Sequence, residues 1–326
     1  MTAVAGTQPI TDAPPKTAPT FLVGSVRSGT TLLRLMLDHH PELAFHFEFE
    51  HAVDRVSDDG RMPPIADYHA YLRQDRIFNL SGLQIDESLD YRQLVDSLLH
   101  QHRQRDGKRF AGATVHHGFE KLRYLWPNAK YVHLVRDGRD VARSCIAMGW
   151  AGNMYCGVNR WIEAELAWER LAPRLRPEQK LELRYEDLVR ESDQVLAEVC
   201  EFIGVEFDPA MYDYAKTSTY ELPDAKLLSQ WKRKLSEQEV QLAEARIADM
   251  MVERGYELSG FPAIEVGPAE ANRLRWHDWW SRAKFRRNRY GTTLFATDFL
   301  ARRLGIGPLA HACKRRTDAI DNEHIR

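Results

Sequence analysis

Cysteine is scarce in this chain. The four residues, Cys145, Cys156, Cys200 and Cys313, are scattered through 326 positions with no C-x-x-C spacing. That distribution argues against a disulfide framework and a cysteine-bound zinc site, and it fits a reducing compartment such as the cytoplasm. Also missing is any run of about 18 apolar residues, the least that would span a bilayer as a helix. The first residues lack the basic-then-apolar pattern of a secretory signal. Neither sign of charge is in excess: the formal net charge is −2 although 28% of residues are charged. The field of the whole molecule therefore points to no class of partner, nucleic acid included. What remains is a chain with 44% hydrophobic residues, enough for one large α/β domain or two smaller ones.

One further absence is local. The stretch Phe21 to Pro41, FLVGSVRSGTTLLRLMLDHHP, has the frame of a nucleotide-phosphate loop: a strand, G-x-x-x-x-G, then an amphipathic helix. Thr30 stands where the lysine of that motif belongs, and Arg27 lies inside the loop. Loss of the lysine that supports the β- and γ-phosphates argues against ATP or GTP hydrolysis. Successive backbone N–H groups running into a helix start still make an anion nest. Arg27 and the hydroxyls of Ser28, Thr30 and Thr31 suit a doubly anionic group held without a metal. A tight strand-to-helix turn of no special function is the competing reading of this loop taken alone.

A second cluster follows in YVHLVRDGRDVARS. The pattern predicts a buried strand from Tyr131 to Val135, a turn at Asp137-Gly138, and a helix. Arg136 ends the strand and Ser144 lies two helical turns further on. Both can meet a second phosphate, Arg136 as a bidentate donor; a capped surface helix with solvated arginines is the alternative. QKLELRYEDL predicts a short strand ending near Arg184 and then a helix. Strands separated by helices predict an α/β fold with a mostly parallel sheet and helices on both faces. Ligands of such sheets bind beyond the carboxyl ends of the strands, where the loops at Gly24, Asp137 and Tyr185 all fall.

The ends of the chain differ from its middle. Residues 1–18 are rich in Thr, Ala and Pro and lack an apolar period, which predicts a disordered leader. Residues 19–265 form the main domain and residues 266–326 a basic, aromatic, helical extension. Trp276, Trp279 and Trp280 sit among arginines in 273–289. That mixture suits a membrane interface or an anionic headgroup. Tryptophans packed on the domain with arginines snorkelling outward would give the same composition.

Taken together and in this order, the motifs resemble those of the sulfotransferase family, from about residue 19 to 260. GSVRSGTTLLRLMLDHHP is similar to the 5′-phosphosulfate loop, in the form seen in tyrosylprotein and related bacterial enzymes. YVHLVRDGRDVARS is similar to the 3′-phosphate-binding strand and helix, and LRYEDL to the segment that follows them. The resemblance implies a P-loop-like three-layer fold, 3′-phosphoadenosine-5′-phosphosulfate (PAPS) as sulfuryl donor, and no metal. It assigns Arg27, Ser28, Gly29, Thr30 and Thr31 to the 5′-phosphosulfate, Arg136 and Ser144 to the 3′-phosphate, and Tyr185 to the vicinity of the nucleotide. Gln230 to Lys234, QWKRK, is a looser match to a late basic segment of the family.

The implied reaction is an in-line displacement at sulfur, which needs a base for the acceptor and donors around the departing oxygen. Arg27 and the loop amides suit the second task. Two residues compete for the first. Glu48 is the gapless match, counted from Arg27 through His40-Pro41, to the glutamate of the tyrosylprotein enzymes. His116, in GATVHHG, falls on the histidine of the K-T-H segment of cytosolic aryl and steroid enzymes. There Thr114 replaces the lysine that assists the leaving group, a departure that His117 or a later basic residue would have to cover. His46 and His51 are assigned to pocket lining or surface. The acceptor, a hydroxyl or amine on a carbohydrate, lipid, metabolite or peptide tyrosine, is expected against residues 49–108 and 146–170. Met148, Trp150, Tyr155 and Trp161 are wall candidates there, or else core. An atypical P-loop kinase and a non-catalytic nucleotide-binding protein of the same fold are the rival readings. A cytoplasmic location is expected, peripheral at the inner membrane face if 273–289 meets lipid.

Overall fold

The computed structural model describes residues 17–323; the leader expected over 1–18 falls almost wholly outside the described residues. Five strands form one sheet: β1 Thr20–Val23, β2 Leu43–Glu48, β3 Phe110–Val115, β4 Lys130–Val135 and β5 Lys180–Arg184. Their order is β2-β3-β1-β4-β5, and every neighbouring pair is parallel. Parallel neighbours need long crossovers, and here these are helical. Side chains alternate across the sheet. Phe21 and Val23 enter one core with Leu94, Leu98 and Trp168, whereas Leu22 enters the other with Leu33, Met36 and Leu134. Helices Tyr91–Arg105 and Asn159–Leu171 thus cover one face, and Thr30–His39 and Ser192–Ile203 the other. Burial on both faces explains why these strands read as nearly unbroken apolar runs.

The strand order creates a crevice. The chain leaving β1 travels to β2 on one side, while the chain leaving adjacent β4 travels to β5 on the other. Above the carboxyl ends of β1 and β4 the backbone therefore parts.

A third apolar cluster extends the domain past the end of β4. Val135, Val141 and Trp161 pack there with Ile247 and Met251 of helix Glu237–Glu253. That helix begins with the reciprocal Ser236–Glu239 cap legible in the sequence. A buried cation joins the two parts. Arg139, 2% exposed, donates to the Asp137 carboxylate at 2.7 and 3.0 Å, to Glu244 at 2.6 Å and to the Glu257 carbonyl at 2.9 Å. Its guanidinium lies 3.6 Å from the centre of a Trp231 ring.

The structure decides between the readings left open for Trp161 and the tail tryptophans, and it corrects the one made for His46 and His51. Trp161 is fully buried, and its indole N–H donates to the Arg136 carbonyl at 2.9 Å, so it is core and not a pocket wall. His46 and His51 are also core: His46 meets His102 edge-on, and His51 lies between Phe49 and Phe78. The tryptophans of helix Pro268–Tyr290 do not pack on the domain. Asp278 accepts from the Gly152 N–H at 2.7 Å, and Asn153 donates to the Leu274 carbonyl at 2.8 Å. A Cβ on Gly152 would lie 2.5 Å from Ser281. The buried positions of this helix are Ala271, Leu274, Asp278 and Ala283, and Trp276, Trp279 and Trp280 remain outside at 65%, 44% and 62% exposure.

Buried histidines make stability depend on acidity. Burial depresses His46 to about 3 and His51 to about 4 from the ordinary 6.5. As pH falls below 6.5, these imidazoles gain protons in the unfolded chain and not in the folded one, so stability is lost toward acid. Among the described residues no partner reaches either His51 nitrogen. His51→Phe should therefore abolish about 1–2 kcal/mol of the stability lost between about pH 7 and about pH 5, as read from denaturant midpoints. An identical pH dependence in wild type and variant would refute the assignment.

Candidate active site

Close approaches shape the loop after β1. Gly24, at φ +145°, passes β4 so tightly that a Cβ would lie 2.4 Å from the Leu134 carbonyl. Gly29, at φ +92°, precedes helix Thr30–His39, and a Cβ there would strike the Tyr185 ring at 2.1 Å. Between them Arg27 adopts φ +68°, a left-handed conformation uncommon for any residue but glycine. Among the described residues no side chain caps the helix, so its first N–H groups are free to face an anion.

The loop and the turn after β4 meet directly. The Arg27 Nε–H donates to Ser144 Oγ at 2.9 Å, and Arg136 Nη1 donates to the Arg27 carbonyl at 3.1 Å. The Arg136 guanidinium sits 4.4 Å over the Tyr185 ring and 3.9 Å from Asp140. Arg27 thus joins the group expected around the second phosphate, where the sequence suggested two separate pockets. Asp140 in turn accepts from the backbone N–H groups of Trp231 at 2.8 Å and Gln230 at 3.2 Å, which draws the QWKRK segment against this corner. Burial raises the Asp140 carboxyl, and Arg136 opposes the rise. Among the described residues no partner reaches two buried polar atoms here, Ser28 Oγ and Arg136 Nε. Together with the left-handed cradle and the free helix N–H groups, they leave unspent donors that fit a polyanion.

A second feature adjoins the loop. His116 Nε2 lies 3.0 Å from Thr30 Oγ1, and His116 Nδ1 lies 2.8 Å from Glu50 Oε1. The same Glu50 oxygen accepts from the His116 backbone N–H at 2.8 Å. A carboxylate accepts, so Nδ1 carries its proton and Nε2 is left as the basic nitrogen. Burial acts to raise the Glu50 carboxyl, but the hydrogen bonds and charge of His116 outweigh it and hold the group below its ordinary value. Glu48, exposed at the end of β2, behaves oppositely: the protein walls around it raise its carboxyl, and the Glu50 charge adds to the rise. Thr114 is buried within β3, so no charge comes from the position aligned with the family lysine. His117 is engaged by Asp54 at 2.8 Å. The structure therefore gathers Arg27, Ser28, Gly29, Thr30, Arg136, Ser144, Tyr185 and His116 about one crevice. It adds Glu50, which the sequence showed only as the far member of the run FHFEFE.

Comparison with known proteins bears on the family. Residues 19–209 match the family model described as "Sulfotransferase family". A curated but uncharacterized protein of Aquifex aeolicus is 28% identical over 223 residues, covering 62% of this chain and 28% of its own length. Protein-tyrosine sulfotransferase 2 of Gallus gallus is 26% identical over 217 residues, covering 58% of this chain. The match spans 52% of that relative, about half its length. Among solved structures, the sulfotransferase domain of the Synechococcus PCC 7002 olefin synthase superposes with a TM-score of 0.53 at 23% identity. That superposition covers 76% of this chain and 98% of that one, and it speaks to the fold.

The Gly29–Tyr185 approach supplies a test. Gly29→Ala should cost about 1–3 kcal/mol through a strained left-handed residue and a ring collision, seen as a lowered denaturant midpoint. Combining it with Tyr185→Ala should recover part of that loss, because the collision disappears while the backbone strain stays. Strict additivity of the two changes would contradict the contact.

Proposed function

The chain belongs to the sulfotransferase family, and from that premise we propose that it moves a sulfuryl group from PAPS to a hydroxyl or amine of an acceptor. The observation that carries the reading is the hydrogen bond between Thr30 and His116. It joins an anion-binding loop to an oriented imidazole within one crevice. When bound, PAPS supplies an activated sulfuryl group and a phosphate leaving group. The unspent donors around Ser28 and Arg136 fit its phosphates.

In this reading Ser28, Gly29, Thr30 and Thr31 hold the 5′-phosphosulfate through backbone N–H groups and hydroxyls. Arg136 and Ser144 hold the 3′-phosphate, and Tyr185 lies beside the nucleotide. Arg27 belongs to the loop by sequence, while its guanidinium meets Ser144 and its carbonyl accepts from Arg136, both at the 3′ end. The loop amides stabilise the negative charge that grows on the leaving oxygen. His116 Nε2 takes the proton of the acceptor as the acceptor oxygen or nitrogen bonds to sulfur. Nδ1–H remains on Glu50, whose carboxylate stabilises the imidazolium that forms. Glu48 is the second candidate base, its raised carboxyl closer to the working range of an acid–base group. The acceptor class spans carbohydrate, lipid, small metabolite and peptide tyrosine, because a shared donor site does not define the acceptor.

Incubation with radiolabelled PAPS and fractionated cell extract should label an acceptor fraction. Magnesium-dependent ATP turnover with no response to PAPS would replace the reading with a kinase. Binding of adenosine 3′,5′-bisphosphate without transfer to any fraction would replace it with a non-catalytic binding protein. Once an acceptor is in hand, His116→Ala should lower kcat by about 10²–10⁴-fold, the range for general-base loss, with nucleotide binding by calorimetry preserved. Glu50→Gln should lower kcat less, and Glu48→Gln less than His116→Ala. Full turnover in His116→Ala, with deep loss in Glu48→Gln, would move the base to Glu48.

A further inference from the structure

The proposed chemistry leaves one surface unused. On helix Pro268–Tyr290, Trp276 and Trp279 meet edge-on at 6.0 Å, and Trp279 and Trp280 do so at 4.9 Å. All three rings are exposed, and a tryptophan offers about 150–250 Å² of burial when covered. Three such rings side by side make a contiguous exposed apolar patch, the kind of surface that marks an interaction site. At helical spacing around the rings, Arg273, Arg275, Arg282, Lys284, Arg286 and Arg287 are exposed as well. Glu270 pairs with Arg273 and the buried Asp278 with Arg282, which leaves Arg275, Lys284, Arg286 and Arg287 as the cations in excess. Positive charge is thus concentrated here in a chain whose formal net charge is −2. The next two helices and the turn between them expose Phe299, Leu300, Leu304 and Leu309.

We propose that this helix docks the protein on an anionic phospholipid bilayer, lying in the plane of the headgroups. Indole rings settle at that depth because one edge is polar and the body is apolar. Arginine matches lipid phosphate as a two-pronged donor, and each cation held near a negatively charged leaflet adds attraction. Among the described residues no helix is long and apolar enough to cross a membrane. A protein groove would accept the tryptophans without requiring a surrounding ring of cations. Single-stranded nucleic acid would use the cations, but it stacks on spaced ring faces, whereas these rings are locked edge to face. The inference stands apart from the sulfuryl transfer, since no residue of the crevice takes part.

The test uses the full chain and sedimentation with vesicles of phosphatidylcholine, either alone or with about a third phosphatidylglycerol. Binding is expected to the mixed vesicles, weakening as salt rises past about 0.1 M, where screening shortens to about 10 Å. Bound protein should show blue-shifted tryptophan emission quenched by brominated lipid. The double change Arg282→Glu and Arg286→Glu should lower vesicle affinity at least about ten-fold. Replacing Trp276, Trp279 and Trp280 by alanine should do the same while leaving the circular dichroism unchanged, because the rings are exposed. Absence of wild-type sedimentation with mixed vesicles would overturn the proposal. So would undiminished sedimentation of the alanine variant, displacement of the vesicles by a single-stranded oligonucleotide, or a dimer that the alanine variant converts to monomer.

Discussion

Where the chain leaves β1 it passes β4 with no room for a side chain, and the crevice depends on that passage. Gly24 is pressed toward the Leu134 carbonyl, so the loop must climb over the end of β4 before it can enter its helix. The climb turns Arg27 left-handed and aims its carbonyl at Arg136 and its guanidinium at Ser144. Residues more than a hundred positions apart are therefore joined by a backbone constraint set within four residues of a strand end. A left-handed arginine costs stability, and the two cross-links it makes offset that cost.

The crevice separates two carboxylates that lie two positions apart. Glu50 is pinned by His116 and stays ionised, which suits it to hold an imidazole in one tautomer. Glu48 is unpinned and holds its proton more readily. Divergent environments for neighbouring acids are a recurring way to divide acid–base labour. Thr30 belongs to both halves of the crevice, since it opens the helix after the loop and touches His116.

Most of the architecture was legible in the chain because buried parallel strands and amphipathic helices write their periods plainly. Val135, Arg184 and His39 end elements close to where the apolar pattern stops. What the chain did not reveal depends on contacts between distant segments. The register of β2 slips between His46 and Glu48, so a gapless count cannot reveal that Glu50, just past the strand, reaches His116. The outward tryptophans were settled by the close contact at Gly152, far away in sequence. In RDGRD the two arginines look alike, yet Arg136 reaches the crevice while Arg139 turns inward to Asp137 and Glu244. Turn geometry decides between them, and it leaves no periodic trace.

The inward turn of Arg139 has a bearing on where this protein may be divided. The match to the family model ends at residue 209, but Asp140 and Arg139 also draw on atoms of Gln230, Trp231, Glu244 and Glu257. A fragment trimmed to that stretch would leave Arg139 only Asp137 as a carboxylate partner and would take from the buried Asp140 both of its backbone donors. The smallest autonomous piece is thus defined by ionic closure and not by ancestry.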